Sequence, residues 1–342
     1  MGKAAVPISL GVIGAGKVVA QHHLPVLATV RYVRVRWLQD VNLARARELG
    51  RAWSVPAWYP RLAECTDVDA VLVATPVGVR KSILDEVIDR NWHALCEKPF
   101  AITRADHEYL LRKANHHKVR LAAGYMRRHY WSTTKMRELV RSRVLGRVRR
   151  IVAAEHANLR RTGVDADSYR NNPAASGGGV MIETGSHLVD QVLFICEAVD
   201  AIVEECDQTC FGGLDLETVA RGRLRLAAGE EVPLFLTVSG LRDLWGGITV
   251  FCDDGELRVR LAPSSSVEIT RSGKVLFSWV GSPQKEQQAS FNAFRLEWLR
   301  FLTALRSGES WCSASETGLL TTSFVASCYE LAQSLRAQGA SK

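Results

Sequence analysis

The sequence lacks any hydrophobic run long enough to cross a membrane. Nowhere in its 342 residues is there a stretch of about 18 consecutive apolar residues, the length that a transmembrane helix needs. The first strand-like apolar run already starts at Ile8, which leaves no room for the charged, apolar and cleavage regions of a signal peptide. We therefore expect a cytoplasmic protein with no membrane partner.

Closely spaced cysteine pairs of the C-x-x-C type are also absent. Zinc ribbons and small disulfide-stapled domains place their cysteines at short, regular spacings, and neither pattern occurs here. The sequence therefore predicts reduced, mostly buried thiols and no metal site. The eight cysteines are Cys65, Cys96, Cys196, Cys206, Cys210, Cys252, Cys312 and Cys328.

Acidic residues are fewer than basic ones, 36 against 44, so the formal net charge is +8. Such an excess suits a nucleic-acid partner, an anionic small substrate or a solvated arginine-rich surface. Five arginines lie between Arg141 and Arg150, where a predicted helix ends and a strand begins. Basic side chains in that position complement the helix dipole or face solvent. No nucleic-acid partner is therefore predicted.

A strand, a glycine turn and a helix follow one another near the N-terminus. The apolar run Leu10 to Ile13 leads into Gly14-Ala15-Gly16, and a helical spacing begins at Lys17. Side chains at Gly14 and Gly16 would block the tight turn and keep the backbone away from a pyrophosphate at the helix N-terminus. Gly14, Gly16, Lys17 and Val18 are therefore predicted to bind a dinucleotide, although a valine occupies the third glycine position of the G-x-G-x-x-G pattern.

The second predicted strand, Tyr32 to Gln39, ends at Asp40. A carboxylate at this distance from the glycine turn is suited to hydrogen-bond an adenosine ribose. Because Asp40 would repel a 2′-phosphate, it predicts NAD rather than NADP as the cofactor. The alternative is that Asp40 only caps the next predicted helix, Leu43 to Leu49.

Strands and helices alternate as far as residue 124. Further strands are predicted at 70–74, 93–96 and 120–123, and helices at 81–90 and 104–116. This alternation predicts a parallel, doubly wound sheet in a Rossmann domain over residues 1–124, with ligands at the carboxyl ends of the strands. The residues at those ends are Gly14 to Gly16, Asp40, Thr75-Pro76, Glu97-Lys98-Pro99 and Gly124.

From Arg147 onward the pattern changes to alternating apolar and polar residues. Seven such runs lie between Arg149 and Trp279, Asp253-Asp254-Gly255 is a hairpin turn between two of them, and helices are predicted at 292–305 and 316–335. We expect residues 125–342 to form an α+β domain. Its mostly antiparallel sheet would have one face covered by helices and the other face open.

Two groups of motifs resemble one family. In the first half, Glu97-Lys98-Pro99 follows Thr75-Pro76 and the glycine turn. In the second half, Gly177-Gly178-Gly179 precedes the segment from Glu183 to Asp190, whose sequence is ETGSHLVD. Together they resemble the glucose-fructose oxidoreductase, inositol dehydrogenase and MocA (Gfo/Idh/MocA) family over nearly the whole chain. The departures are Val77 and Arg80, where the family usually has Asn and His, and Glu183, where it usually has Asp.

The resemblance implies a nicotinamide dinucleotide and a sugar-like substrate. Thr75, Pro76, Glu97 and Lys98 would contact the cofactor, and the Lys98-Pro99 bond would be cis. Residues 125–342 would bind the substrate and form the oligomer interface, with the C-terminal helix packing back on the Rossmann domain. Subunits would pack through the open sheet face, so a homodimer or homotetramer is expected.

Three residues are candidates for the chemistry. Oxidation of a secondary alcohol needs a base for the hydroxyl proton, and His187 titrates in the right range. Glu183 lies four residues earlier on the predicted helix 180–196, so it shares a face with His187 and would fix its tautomer. Lys98 would donate to the substrate oxygen. The alternatives are a surface lysine beside a turn proline and a histidine packed against the sheet.

Basic and aromatic residues near these motifs are candidates for substrate binding. Arg127-Arg128 follow the last Rossmann strand, and Arg160, Arg161, Tyr169 and Arg170 precede the glycine run. The arginines favour an anionic, nucleotide-linked substrate. For Asp190, a salt bridge on its helix face is the alternative to substrate contact. The predicted substrate-binding residues are Arg128, Tyr169, Arg170, His187 and Asp190.

The function predicted is an NAD-dependent oxidoreductase. It would transfer hydride between nicotinamide and a secondary hydroxyl or ketone carbon of a sugar, cyclitol or nucleotide-sugar, for instance in C3 oxidation for amino-sugar biosynthesis. One alternative is an NADPH-dependent keto-sugar reductase, for which Asp40 has the wrong charge. Another is a non-catalytic dinucleotide-binding sensor of the same fold, against which Lys98 and His187 argue.

Overall fold

The protein is described here from a computed structural model that covers residues 6–159, 168–261, 265–281, 286–307 and 314–339. The chain divides into two compact units. Unit 1 comprises Met1–Ala101, Ala105–Met126 and Phe291–Thr317, and unit 2 comprises Ile102–Arg104, Arg127–Ser290 and Gly318–Lys342. Phe291–Thr317 thus belongs to unit 1, and the last residues of the chain belong to unit 2. The packing of the C-terminal helix on the Rossmann domain stays a prediction.

Unit 1 contains the predicted parallel sheet. Its six strands pair in the order β3-β2-β1-β4-β5-β6, and every pair is parallel. The order reverses beside β1, which is the switch point where ligands bind in such sheets. The strands are β1 Ile8–Ile13, β2 Val33–Gln39, β3 Ala57–Tyr59, β4 Ala70–Val73, β5 His93–Glu97 and β6 Leu121–Gly124.

The helices of unit 1 follow the predicted alternation. The helix after the glycine turn starts with a π-helical turn, Val19–His23, which continues into α1, Leu24–Leu27. Single π-helical turns inside helices are frequent at functional sites. Three further helices, α2 Leu43–Ala52, α3 Arg80–Asp89 and α4 Arg104–His116, fall wholly or mainly in unit 1.

Unit 2 is built on an eight-stranded sheet in the order β14-β13-β12-β11-β7-β10-β9-β8. All its pairs are antiparallel except β7 with β10, so the predicted mostly antiparallel sheet is confirmed. The predicted hairpin joins β11 to β12. The strands are β7 Val148–His156, β8 Ala198–Phe211, β9 Leu214–Leu226, β10 Glu231–Ser239, β11 Gly247–Cys252, β12 Gly255–Arg260, β13 Ser266–Arg271 and β14 Lys274–Val280.

One face of this sheet is buried and the other is open, as predicted. Along β10, Val232, Leu234, Leu236 and Val238 are buried, whereas the residues between them are more exposed. The core against the buried face includes Leu188, Val192, Phe324 and Val325. The remaining helices are α5 Trp131–Arg141, α6 Pro173–Ser176, α7 Ser186–Ile195, α8 Glu286–Ser307 and α9 Ala314–Gly339. No helix in the described ranges is both long and apolar enough to cross a membrane.

Candidate active site

The glycine turn after β1 has room for a ligand. Gly14 has a φ of +95°, and a Cβ atom there would lie 2.7 Å from the carbonyl oxygen of Ala74, so the fold itself requires glycine. A Cβ atom at Gly16 would meet no atom of the described residues within 4 Å. The protein's own packing therefore does not explain Gly16, and the free space suits a pyrophosphate approaching the backbone.

Asp40 lies at this turn rather than at the start of α2. Its Oδ2 accepts a hydrogen bond of 2.8 Å from the backbone N–H of Ala15, and its Oδ1 accepts one of 2.8 Å from Asn42 N–H. The N-cap of α2 is Asn42, whose side chain accepts from Arg45 N–H. The alternative in which Asp40 caps this helix is therefore wrong. A buried carboxylate joined to the glycine turn fits the ribose-binding prediction.

The Glu97-Lys98-Pro99 segment forms the end of β5. The Lys98-Pro99 peptide bond is cis, as predicted, and Lys98 is partly exposed. Glu97 is buried, and its Oε2 accepts a hydrogen bond of 3.1 Å from the backbone N–H of Lys98. Burial alone would raise the pKa of Glu97, but the hydrogen bond from His23 and the charges of Lys98 and Arg80 lower it below the ordinary value. Glu97 is therefore a carboxylate that fixes the Lys98 backbone.

His23 and Trp298 support Glu97, and the sequence analysis did not identify either of them. Trp298 Nε1, which can only donate, lies 3.0 Å from His23 Nδ1, so Nδ1 must be the acceptor. The proton of the neutral ring is then on Nε2, which donates to Glu97 Oε1 over 2.9 Å. His23 is fully buried at the end of the π-helical turn. These hydrogen bonds form a relay that runs from Trp298 through His23 and Glu97 to the backbone N–H of Lys98.

In unit 2, the glycine run is explained by Asp215 and Tyr329. A Cβ atom at Gly178 would lie 2.2 Å from the Tyr329 hydroxyl, and one at Gly179 would lie 2.0 Å from the Asp215 carbonyl oxygen. Because Gly178 and Gly179 have no side chains, the Asp215 carboxylate can approach the backbone. It accepts hydrogen bonds from the N–H groups of Gly179 and Met181 at 2.6 and 2.8 Å. Asp215 therefore accepts from N–H groups at the start of the helical segment that carries Glu183 and His187.

This segment begins with a second π-helical turn, Met181–Gly185, followed by α7. Glu183 and His187 are both partly exposed. Arg170 Nη2 donates to Glu183 Oε1 over 3.2 Å, and its guanidinium carbon lies 5.0 Å from the centre of the Tyr169 ring. Tyr169, Arg170 and Glu183 are thus in one cluster. The support of His187 by Glu183 stays a prediction.

The other predicted substrate-binding residues are paired with each other. Arg128 Nε donates to Asp190 Oδ2 over 2.8 Å, and its Nη2 donates to Oδ1. Both side chains are buried, and the Thr321 hydroxyl also donates to Asp190. This is the salt bridge that was the alternative for Asp190. The neighbouring Arg127 makes two hydrogen bonds of 2.9 Å to Glu155. The positive charges of these arginines and of Arg170 are thus locally balanced; Arg160 and Arg161 lie outside the described residues.

Comparisons with known proteins match both units. Residues 8–125 match the profile of an oxidoreductase family with an NAD-binding Rossmann fold, and residues 133–258 match the C-terminal domain profile of the same Gfo/Idh/MocA family. The D-glucoside 3-dehydrogenase of Escherichia coli is 27% identical over 192 residues, which are 55% of this chain and 54% of that protein. The chain spans about half the length of the curated relatives it matches.

Solved structures share the fold over almost the whole chain. A 3-ketoreductase from Actinomadura kijaniata, solved as a mutant with TDP-benzene and NADP, superposes with a TM-score of 0.79 at 20% identity and covers 95% of this chain and 97% of its own. A levoglucosan dehydrogenase in complex with NADH and levoglucosan has a TM-score of 0.80 at 15% identity, covering 96% of this chain and 98% of its own. With its glycine turn, its Glu97-Lys98-Pro99 segment and two matching domain profiles, the chain belongs to the Gfo/Idh/MocA family of oxidoreductases.

Proposed function

We propose that this protein is an NAD-dependent oxidoreductase that interconverts a secondary alcohol and a ketone on a sugar or cyclitol. The observation that carries the proposal is the Glu97-Lys98-Pro99 segment, whose backbone is held at the end of β5 while the Lys98 side chain is partly exposed. A lysine that only covered a turn would not need a buried carboxylate and histidine behind it. The 3-dehydrogenase and 3-ketoreductase among its relatives favour carbon 3 as the reacting position.

The residues proposed to hold the dinucleotide are those of the glycine turn and the strand ends. Gly14, Gly16, Lys17 and Val18 would bind the pyrophosphate, and Asp40 the adenosine ribose. Thr75, Pro76, Glu97 and Lys98 would border the nicotinamide. The free space at Gly16 supports this assignment, as does the Thr75 hydroxyl, which has no hydrogen-bond partner among the described residues. When bound, the dinucleotide supplies the acceptor or donor of hydride.

The proposed mechanism uses one base and one cation. In the oxidative direction, His187 takes the proton of the substrate hydroxyl while the same carbon loses hydride. The Lys98 ammonium donates a hydrogen bond to the oxygen as its O–H bond breaks and stabilises the negative charge that develops there. Glu183, held by Arg170, would orient His187 and favour its protonated form. In the reductive direction the same groups return the proton.

The assay is nicotinamide absorbance over a panel of cyclitols, free sugars and nucleotide-sugars, with Lys98→Met and His187→Asn beside the natural protein. We expect kcat to fall about 100- to 10,000-fold in each variant. Lys118→Met and His116→Asn replace exposed residues of the same types and should keep kcat. If the two residues act on one substrate oxygen, the double variant will lose little more than the worse single variant. Unchanged kcat in both single variants would refute the assignment.

The cofactor preference is tested at Asp40. Its carboxylate is buried at the glycine turn and repels a 2′-phosphate, so we expect kcat/KM to be higher with NAD than with NADP. Asp40→Asn removes the charge, although its NH2 group must face the backbone N–H of Ala15 or of Asn42, which lowers stability. The preference should fall about tenfold or more, because a buried like-charge repulsion of about 1.4 kcal/mol corresponds to tenfold. A natural protein that prefers NADPH would instead support the keto-sugar reductase, as the NADP-bound neighbour suggests.

The substrate proposed is uncharged. Arg127, Arg128 and Arg170 each pair with a carboxylate of unit 2, so they do not offer the free positive charge that would select a phosphate. The proposal of an uncharged substrate therefore replaces the expectation of an anionic, nucleotide-linked one. A kcat/KM higher for free sugars or cyclitols than for nucleotide-sugars is the expected outcome of the panel.

We also propose that the protein is a homodimer or homotetramer, in which β14 contributes to the interface. The open face of β8 and β9 carries cross-strand ion pairs, such as Arg221–Glu205 and Arg223–Glu204, whereas the exposed apolar residues concentrate on β14. All seven residues of this edge strand are exposed, and the Phe277 and Trp279 rings stack with centroids 5.9 Å apart. An exposed apolar edge of this kind is usually covered in a stable protein.

A further inference from the structure

Arg80 is a buried arginine behind the Lys98 segment. It is the first residue of α3, it occupies a position where the family usually has histidine, and it is only 5% exposed. Its Nε and Nη2 donate to the carbonyl oxygen of Thr75 over 2.8 and 2.6 Å. Its Nη1 donates to the carbonyl oxygens of Glu97, over 2.5 Å, and of Pro99. One guanidinium thus joins the end of β4 to the residues on both sides of Lys98.

This arrangement depends on the shape of the guanidinium. Its donors are arranged as a rigid planar fork, which can reach three carbonyl oxygens at once without a change of rotamer. A lysine ammonium is a point charge on a flexible stem, and an imidazole has at most two donors on a shorter side chain. Histidine could therefore bind at most two of these oxygens. Lysine has three donors, but its flexible stem would not hold the three oxygens in a fixed arrangement.

The Lys98 backbone is held from a second direction by Glu97. The carboxylate of Glu97 accepts the Lys98 N–H, while Arg80 binds the carbonyl oxygens that precede and follow this residue. The two groups also interact, because the positive charge of Arg80 contributes to the lowered pKa of Glu97. Loss of Arg80 would release both carbonyl oxygens and weaken the ionised state of the carboxylate.

We propose that Arg80 is a positioning residue for Lys98: it sets the backbone on both sides of this lysine so that the ammonium group reaches the reacting oxygen. The inference rests on the proposed role of Lys98 and extends it to a residue that replaces the family's usual histidine. Arg80 itself touches neither substrate nor cofactor in this proposal. Its main effect is therefore on the geometry of catalysis.

The kinetic test compares Arg80→Met, Arg80→Lys and Arg90→Met. Arg90 caps the other end of α3 and donates to Glu86 and to the Cys65 carbonyl oxygen, which makes it a matched control away from the Lys98 segment. A displacement of about 1 Å can lower kcat about 100-fold, so we expect a loss of 10- to 100-fold in Arg80→Met and a smaller loss in Arg80→Lys. The Kd for NAD should change less than kcat, because Arg80 binds only the backbone of Thr75 and Glu97 at the edge of the proposed nicotinamide site.

The pH profile separates positioning from a general loss of stability. Glu97 has a lowered pKa in the folded protein, so the carboxylate is lost only as the pH falls through that lowered value. Its charged neighbours are Lys98 and Arg80, and His23 donates to it from the π-helical turn. Because Arg80→Met removes one of these charges, the acid limb of the pH profile of kcat should move to higher pH in this variant. It should not move in Arg90→Met. An unmoved limb together with natural kcat would overturn the proposal.

Hydrogen exchange provides a readout that does not depend on activity. The Lys98 amide donates to Glu97, so its exchange should be at least about tenfold faster in Arg80→Met than in Arg90→Met, because the held segment opens more often. Equal exchange in the two variants would show that Arg80 does not hold this segment. If the natural protein oxidises no member of the substrate panel, the proposed function fails, while the exchange result still decides the role of Arg80. Arg80→Lys serves the same comparison if Arg80→Met does not fold.

Discussion

Replacement of Asp215 by asparagine should destabilise unit 2 and disturb the segment that carries His187. Each carboxylate oxygen of Asp215 accepts two hydrogen bonds: Oδ1 from Gly179 N–H and the Tyr329 hydroxyl, both at 2.6 Å, and Oδ2 from Met181 N–H and the Thr218 hydroxyl, at 2.8 and 3.0 Å. Asparagine has one oxygen and an NH2 group. A hydroxyl can rotate to accept from that group, but a backbone N–H cannot.

The magnitude follows from these four bonds. One buried backbone N–H is left facing a donor, which costs about 1–3 kcal/mol, and the two retained bonds lose their charge assistance at about 0.5–1.5 kcal/mol each. The expected loss in the free energy of unfolding is therefore about 2–6 kcal/mol. At about 2–4 °C per kcal/mol for a unit of this size, Tm should fall by about 10 °C. Tyr329→Phe removes the donor to Asp215 and also the acceptor of the Ile182 N–H, and should cost about 1–3 kcal/mol.

The assay is thermal and denaturant unfolding of the natural protein, Asp215→Asn, Tyr329→Phe and Asp254→Asn. Asp254 is an exposed carboxylate in the β11–β12 hairpin turn, so its replacement should change stability by less than about 0.5 kcal/mol. Burial, together with Asp215, raises the pKa of Tyr329 well above its ordinary value. The stability that this tyrosine contributes is thus present below the unfolded-state pKa and is lost as the pH rises above about 10. Equal unfolding of Asp215→Asn and Asp254→Asn would refute the reasoning.

Two further predictions concern the relay and the exposed edge strand. Trp298→Phe removes the N–H that forces the His23 proton onto Nε2, so the imidazole ¹⁵N shifts should change from a single Nε2–H tautomer to a mixture, whereas Trp245→Phe should leave them unchanged. Unaltered shifts in Trp298→Phe would contradict the assigned relay. For β14, the double variant Phe277→Ser/Trp279→Ser should reduce the mass measured by light scattering, because it removes the stacked apolar pair. Leu335→Ser removes an exposed apolar side chain on α9 and should leave the mass unchanged. An oligomer that survives the β14 change would argue against this interface.

Most of the fold could be predicted because its elements carry their own apolar pattern. The buried strands β1, β4 and β5 are nearly continuous apolar runs, and β10 alternates between buried and exposed residues. β3 and β8 were missed. β3 has three half-buried residues, and β8 is an edge strand along which only Cys206 is buried. Such edge strands are formed by backbone hydrogen bonds to one neighbouring strand. These bonds require no alternation of apolar residues, so the sequence does not reveal them.

The candidate site was predicted in part. The glycine turn, Asp40, Thr75 and the Glu97-Lys98-Pro99 segment could be found because each follows a recognisable strand and has a motif of its own. The π-helical turns could not, because one extra residue per turn hardly changes the spacing of apolar residues. Arg128 and Asp190 were predicted to bind substrate from their place beside the motifs, and their pairing with each other could not be predicted. Their contact with substrate stays a prediction. A local sequence pattern does not contain the partner of a side chain.

The sequence by itself determined the class of the two units, the strand ends at which ligands are proposed to bind, and the identity of the lysine and histidine proposed for the chemistry. Periodicity and turn residues act over a few neighbouring positions, so they are readable from the chain alone. Only the tertiary structure decided which residues support that chemistry. Trp298 lies 275 positions from His23, and Tyr329 lies 114 positions from Asp215. Folding brings such pairs within hydrogen-bonding distance, and burial then makes each bond matter, because an unpaired polar group would have no water to bind.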